Sequence, residues 1–246
     1  MKRFFAALVA CSIVCGAAYA DGTLDGIIGS NYGAPYGTDA VGDASNGHAI
    51  LDCRELYLYD SGPGTDVFIA MRVGGNIVST NWGKYMFFVE TNNATPKAGI
   101  GNGNGWGRPI QGNGSSVNPS HWIGSWVDSG GGWELYKFAG GTTWNRTNAS
   151  YDTPGGGGFV WTTDGTSSTL EYRIPRALFN TPLPTTVKVI GMSSGGGAGD
   201  NAQDSVPSST PGTNQANAGD WGSMVTMTQT QLPFSVPVTV SGFSID

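Results

Sequence analysis

The sequence predicts an all-β fold: a single antiparallel β-sandwich, jelly-roll-like, of about ten strands with at most one or two short helical turns. Three observations predict it. Short apolar or alternating runs recur along the chain, each bounded by Gly, Pro, Asn or Asp. No segment sustains an apolar stripe of 3.6-residue period. Charged residues form only 12% of the chain and 40 residues are glycine, so uncharged polar side chains are left to cover outward strand faces and glycines to make tight turns.

The elements follow in order. "AILDCRELYLYD" (49–60) and "DVFIAMRV" (66–73) read as strands joined by the turn sequence "SGPGTD". "KYMFFVET" (84–91) is the third. "HWIGSWVD" (121–128) and "WELYKFAG" (133–140) make a second hairpin around "SGGG". "FVWTTD" (159–164), "TLEYRIP" (169–175), "TVKVIGMSS" (186–194), "SMVTMTQ" (223–229) and "FSVPVTVSGFSI" (234–245) complete the set. The helical hint is "PRALFN" at 175–180, where Pro175 is suited to open one turn. No repeat of 20 to 50 residues is visible, which argues against a propeller or solenoid. The glycine-dense connections are too short for interdomain linkers, so residues 21–246 read as one domain.

Residues 1–20 have the layout of a secretory signal peptide: Met1-Lys2-Arg3, an apolar run from Phe4 to Cys15, then "GAAYA", with cleavage expected after Ala20. The expected localisation is secreted, extracellular or cell-surface. Loss of Lys2 and Arg3 takes the formal net charge from -6 to -8. Such a surface repels phosphodiester backbones and anionic headgroups, so neither nucleic acid nor membrane insertion is expected. Cys11 and Cys15 leave with the leader, and Cys53 becomes a lone thiol, read as a small core hydrophobe or as the site of an interchain bridge.

Four constellations bear on chemistry. Six tryptophans (Trp106, Trp122, Trp126, Trp133, Trp144, Trp161) fall within 56 residues among Asn, Gly and Ser. Indoles stack on the apolar C–H faces of sugar rings while amides and backbone groups bind hydroxyls, so exposed members would form a glycan platform. Trp106 and Trp144, in surroundings that read as loops, are the expected exposed pair; Trp122 and Trp126, four apart, share one side of a strand. The stretch Gly191 to Ser209 has no helix to complete a phosphate cradle and reads as a surface connection. In it Asp200 and Asp204, joined by Asp21, Asp25 or Asp43, offer hard oxygens to one structural calcium ion, the other reading being aspartates that cap their own turns. Glu90 and Glu171 would serve a retaining glycoside hydrolase if the fold set them ~5 Å apart in one cleft; strand glutamates paired with Arg or Lys are the other reading. His48 and His121 have no neighbours at zinc-ligand spacing.

Two segments, "DGTLDGIIGSNYGAP" (21–35) and "LEYRIPRALFN…TTVKVIGMSSGGGAGDNAQDSVPS", together a third of the chain, resemble secreted bacterial sandwich modules of the family 9 carbohydrate-binding and DOMON-type group. The resemblance implies a sandwich and, for some members, sugar binding by tryptophans with structural calcium. The functional expectation is a non-catalytic module binding a polysaccharide or cell-surface glycan. The alternative is a surface-layer, matrix or filament subunit that self-assembles through its C-terminal strand. A jelly-roll glycosidase using Glu90 and Glu171 ranks third.

Overall fold

The computed structural model describes residues 23–62, 65–96, 103–110, 118–149, 157–207 and 225–228; the signal-peptide candidate, Asp21 and the C-terminal strand candidate lie outside them. Twelve strands follow one another: β1 (Gly37–Thr38), β2 (Cys53–Asp60), β3 (Asp66–Val73), β4 (Lys84–Thr91), β5 (His121–Trp126), β6 (Gly132–Gly140), β7 (Thr143–Ala149), β8 (Gly158–Thr163), β9 (Ser168–Pro175), β10 (Thr186–Ser194), β11 (Ala202–Val206) and β12 (Val225–Thr228). The helical content is α1 (Arg176–Phe179) and two 3-10 turns at Ser30–Tyr32 and Ala49–Leu51. No helix among the described residues is long and apolar enough to cross a membrane.

The strands form two antiparallel sheets. The first runs β1-β2-β3-β9-β8; the second runs β11-β10-β4-β5-β6-β7, with β12 also paired to β10. One edge of β10 is shared, since β12 takes Thr186–Val189 and β11 takes Gly191–Ser194. Alternate residues of each sheet meet in one core: Leu56, Leu58, Ile69, Met71, Leu170 and Tyr172 from the first, and Tyr85, Phe87, Val89, Ile123, Leu135 and Val189 from the second. This is the two-layer sandwich that period-two patterning demands.

Strands β3 and β4 are apolar on both sides, "VFIAM" and "YMFFV", because both outer faces are also covered. Leu24, Ile28 and Tyr32 pack over Tyr57, Tyr59, Phe68 and Ala70 on the first sheet. The 103–110 loop, with Ile110 and Trp106, packs with Met86, Phe88, Trp122, Ile190 and Met192 on the second.

Three strands appear where the sequence predicts none: the two-residue β1, and β7 and β11. In β7, "TWNRTNA", exposed Thr143, Asn145 and Thr147 alternate with half-buried Trp144, so an edge strand carries almost no apolar signal. The Gly191–Ser209 stretch is not merely a surface connection: it finishes β10 and supplies β11, in which Asp204 and Ser205 are buried beside Ala202 and Val206. Cys53 opens β2 fully buried, with its Sγ 3.8 Å from the Leu51 carbonyl. Burial pushes its thiol well up, so the group is a protonated core side chain rather than an exposed bridge point.

Buried His121 ties β5 to α1. Its Nε2 faces the Phe179 carbonyl, which only accepts, so Nε2 carries the proton and Nδ1 accepts from the Ser120 hydroxyl at 2.9 Å. Burial, with Lys137 adding to it and the Phe179 bond opposing, lowers its pKa to about 4. A folded value below the unfolded one means that stability is complete above pH 6.5 and is lost as the pH falls toward 4. Relative to His121→Gln, the wild-type protein should lose about 2 kcal/mol of unfolding free energy between pH 7.5 and pH 5, measured by urea denaturation.

Candidate functional site

Strand β5 aims Trp122, Gly124 and Trp126 outward from the second sheet, and pairing turns them into cross-strand rows. Phe88, Trp122, Tyr136 and Arg146 lie side by side on β4, β5, β6 and β7; Met86, Gly124 and Glu134 form the next row, and Lys84, Trp126 and Gly132 the third. The missing side chains matter at two of these positions. A Cβ on Gly124 would fall on the Trp122 ring, and one on Gly132 on the Trp126 ring, so both indoles lie flat across the sheet because glycine stands there.

The 103–110 loop then lays a third indole on them. Trp106 meets Trp122 edge-on at 4.8 Å between centroids and Trp126 at 6.0 Å. Its Nε1 donates to Glu134 Oε2 at 2.6 Å, the oxygen that also accepts from the Tyr136 hydroxyl at 3.0 Å. Burial and then Glu134 raise the Tyr136 pKa to about 12, keeping it a donor. Buried Asn104 shapes the loop: its Nδ2 donates to the Arg108 and Ile110 carbonyls, and its Oδ1 accepts from the Trp106 and Arg108 amides. Arg108 in turn donates through one nitrogen to Ser194 Oγ, the Gly195 carbonyl and the Gly197 carbonyl at 2.7–3.0 Å. The glycine loop after β10 is therefore a brace for the aromatic loop.

Trp106, Trp122 and Trp126 thus come together in one array, Trp122 as its buried floor and the other two half-buried at its surface. Trp144 shares the face but not the array. It is held in β7 against Phe138 at 5.5 Å and Phe88 at 6.4 Å, and is half-buried rather than presented by a loop.

A cleft of about 240 Å³ opens beside the same hairpin, lined by Gly130–Gly132, Trp133, Gly157, Gly158, Phe159 and Trp161. Trp161 lies over Gly131 as Trp126 lies over Gly132, so the turn between β5 and β6 is flanked by two indoles. Sequence reasoning missed Trp161 and Phe159 as site residues; the signal was an aromatic pair on a strand that follows a glycine run. It also missed Glu134, whose role depends on a partner 28 residues away.

The carboxylates sort differently from the sequence expectation. Glu90 and Glu171 face opposite outer sides of the sandwich and share no cleft. Glu90 pairs across β4 and β10 with Lys188, Nζ to Oε1 2.7 Å. Glu171 is buried on the first sheet under the N-terminal segment, accepting from the Asp25 amide (2.9 Å), the Gly26 amide (2.7 Å) and the Tyr32 hydroxyl (2.6 Å). Asp200 caps its own turn, accepting from the Gly197 amide at 2.8 Å. Asp25 does likewise at Ile27. Asp204 instead gathers with Asp39 and Asp43, one oxygen of each lying within 4.8 Å of the others.

These features define a two-sheet β-sandwich with an aromatic surface array and a separate acidic cluster. No family model matches the chain, and no curated protein matches it.

Proposed function

We propose that the protein is a secreted, non-catalytic sandwich that binds a polysaccharide or cell-surface glycan on the outer face of its second sheet. The observation that carries this reading is the Trp106–Trp122–Trp126 array: two half-buried indoles, mutually tilted, set at the surface over a buried one, with the carboxylate of Glu134 and the guanidinium of Arg146 at the edge. Flat aromatic faces suit pyranose C–H faces, and charged hydrogen-bonding groups beside them suit sugar hydroxyls. The neighbouring cleft with Trp161 and Phe159 opens beside the β5–β6 turn, where both rings pack against the core between the sheets. The opposed placement of Glu90 and Glu171 gives a paired-carboxylate hydrolase no support.

Isothermal titration and affinity electrophoresis against a panel of soluble polysaccharides test the reading. Binding of at least one glycan is expected, and Trp126→Ala should weaken it tenfold or more, about 1.4 kcal/mol. Absence of binding across the panel, or affinity unchanged in both Trp126→Ala and Trp106→Ala, would overturn it.

A further inference from the structure

We propose that β8 is an open edge for strand addition, and that it takes residues 234–240 of a second copy of this chain as a further strand of the first sheet. This inference does not depend on the glycan reading.

The other edges of the two sheets are blunted. β1 is only two residues long. β7 carries Arg146 among exposed polar side chains, and its pairing with β6 is broken by register shifts at Leu135/Tyr136 and Phe138/Gly140. The far edge of the second sheet is divided between the short strands β11 and β12. Short length, charge and bulges are the means by which natural sheets discourage pairing with another chain. β8 has none of them. Its sequence "GFVWTT" holds no charge and no proline, and its pairing with β9 runs unbroken from the Gly158–Arg173 pair to the Thr163–Ser168 pair. Its other side carries no strand among the described residues.

The inner side of this edge is open as well. Phe159 and Trp161 lie on the core face, opposite Tyr172 and Leu170, yet every residue of the strand is only half-buried. The cleft of about 240 Å³ runs along these two rings toward Trp133. Strand addition uses both features: main-chain hydrogen bonds supply affinity, and pockets for alternate side chains supply selectivity. Residues 234–240, "FSVPVTV", lie outside the described residues and have the complementary pattern. Phe234, Val236, Val238 and Val240 alternate with Ser235, Pro237 and Thr239, so one apolar row joins Phe159 and Trp161 over the cleft while the polar row joins the outer face. The stretch 229–245 is uncharged, as β8 is. Proline is admitted on an added edge strand where its missing N–H faces away from the partner.

Distance makes the donor a second copy. β12 ends at Thr228 on the far edge of the second sheet, whereas β8 lies against the start of β6: the Trp161 ring covers Gly131, and a Cβ on Gly157 would strike Trp133. From β12 the path crosses β10, β4, β5 and β6 and then one place more, five spacings of ~4.8 Å, and changes layer by ~10 Å, roughly 26 Å in all. The connection from Thr228 to Phe234 spans at most about 21 Å when fully extended. The chain's own segment therefore falls short of its own β8. Head-to-tail addition of this kind builds rings or open chains of copies rather than a two-fold dimer.

Sedimentation velocity of the full chain tests this. Over a hundredfold rise in concentration the wild-type protein should pass from monomer to dimers and longer species. The double variant Val236→Asp, Val238→Asp puts charges into the donated row and should stay monomeric. Trp161→Lys should also be monomeric, because its ammonium is solvated at a free edge and buried unpaired once a strand covers that edge. Mixed together, these two variants should give one-to-one pairs and nothing larger, since one lacks the donor and the other the acceptor. A synthetic peptide of residues 232–245 decides the matter even where Trp161→Lys does not fold. Added to the double variant, it should bind one per chain and slow amide exchange in residues 158–163 at least tenfold. Three results would each refute the proposal: a wild-type chain that stays monomeric throughout, assembly undiminished in the double variant, as a β8-to-β8 dimer would give, or a peptide that leaves residues 158–163 unprotected.

Discussion

Glu171→Leu is expected to lower the unfolding free energy by roughly 4 kcal/mol, and Glu171→Gln by only about 1 kcal/mol. The difference follows from what faces the carboxylate. Two of its three partners, the Asp25 and Gly26 amides, can only donate, and both meet Oε2; the third, the Tyr32 hydroxyl, meets Oε1 and is able to donate or accept. Glutamine can therefore present its carbonyl oxygen to the two amides and its NH₂ to the tyrosine oxygen, losing charge assistance and the acceptor of the tyrosine O–H but keeping both amides paired. Leucine fills similar space and abandons three donors, two of them buried and each of those worth about 1–3 kcal/mol when unsatisfied. The N-terminal segment would then lose its anchor, exposing the apolar face formed by Tyr57, Tyr59 and Phe68. Urea denaturation gives the energies, and limited proteolysis near Leu24–Tyr32 should be faster in the leucine variant alone. Equal damage from glutamine and leucine would mean that the negative charge, not the count of acceptors, holds the segment.

The same residue shows where the sequence stops being informative. "TLEYRIP" specifies a strand and places Glu171 opposite Tyr172 across the sheet, but alternation cannot distinguish an exposed glutamate from one covered by a segment 145 residues earlier. The acidic cluster has the same cause: Asp43 and Asp204 are visible as separate turn and loop aspartates, and only the closure of β10 and β11 against β2 brings them and Asp39 together. Local patterns were legible wherever chemistry is local. The hairpin turns, the inward Cys53, the helical turn after Pro175 and the shared face of Trp122 and Trp126 all follow from periodicity and turn residues. Strands β7 and β11 escaped because one is a polar edge and the other buries polar groups that hydrogen bonds satisfy, and neither case leaves an apolar alternation to read.

Gly124→Ala should cost about 2–3 kcal/mol, Gly124→Val more, and both should disable the surface array while the two sheets persist. A methyl at this position falls on the far edge of the Trp122 ring and 2.7 Å from Trp106 Cζ2. Trp122 has nowhere to retreat: it is fully buried, with Tyr136 at 5.4 Å and Trp106 at 4.8 Å against its faces and edges. Relief therefore comes from lifting Trp106, which breaks its bond to Glu134 and loosens the loop that Asn104 and Arg108 organise. Near-ultraviolet circular dichroism, which reports indole packing, should collapse in intensity while the far-ultraviolet spectrum is kept, and glycan affinity should fall with it. Gly199→Ala is the control, since a Cβ there meets nothing within 4 Å. An alanine variant at position 124 with wild-type stability and an unchanged near-ultraviolet spectrum would show that the indoles do not lie across that glycine, and the platform would lose its physical basis.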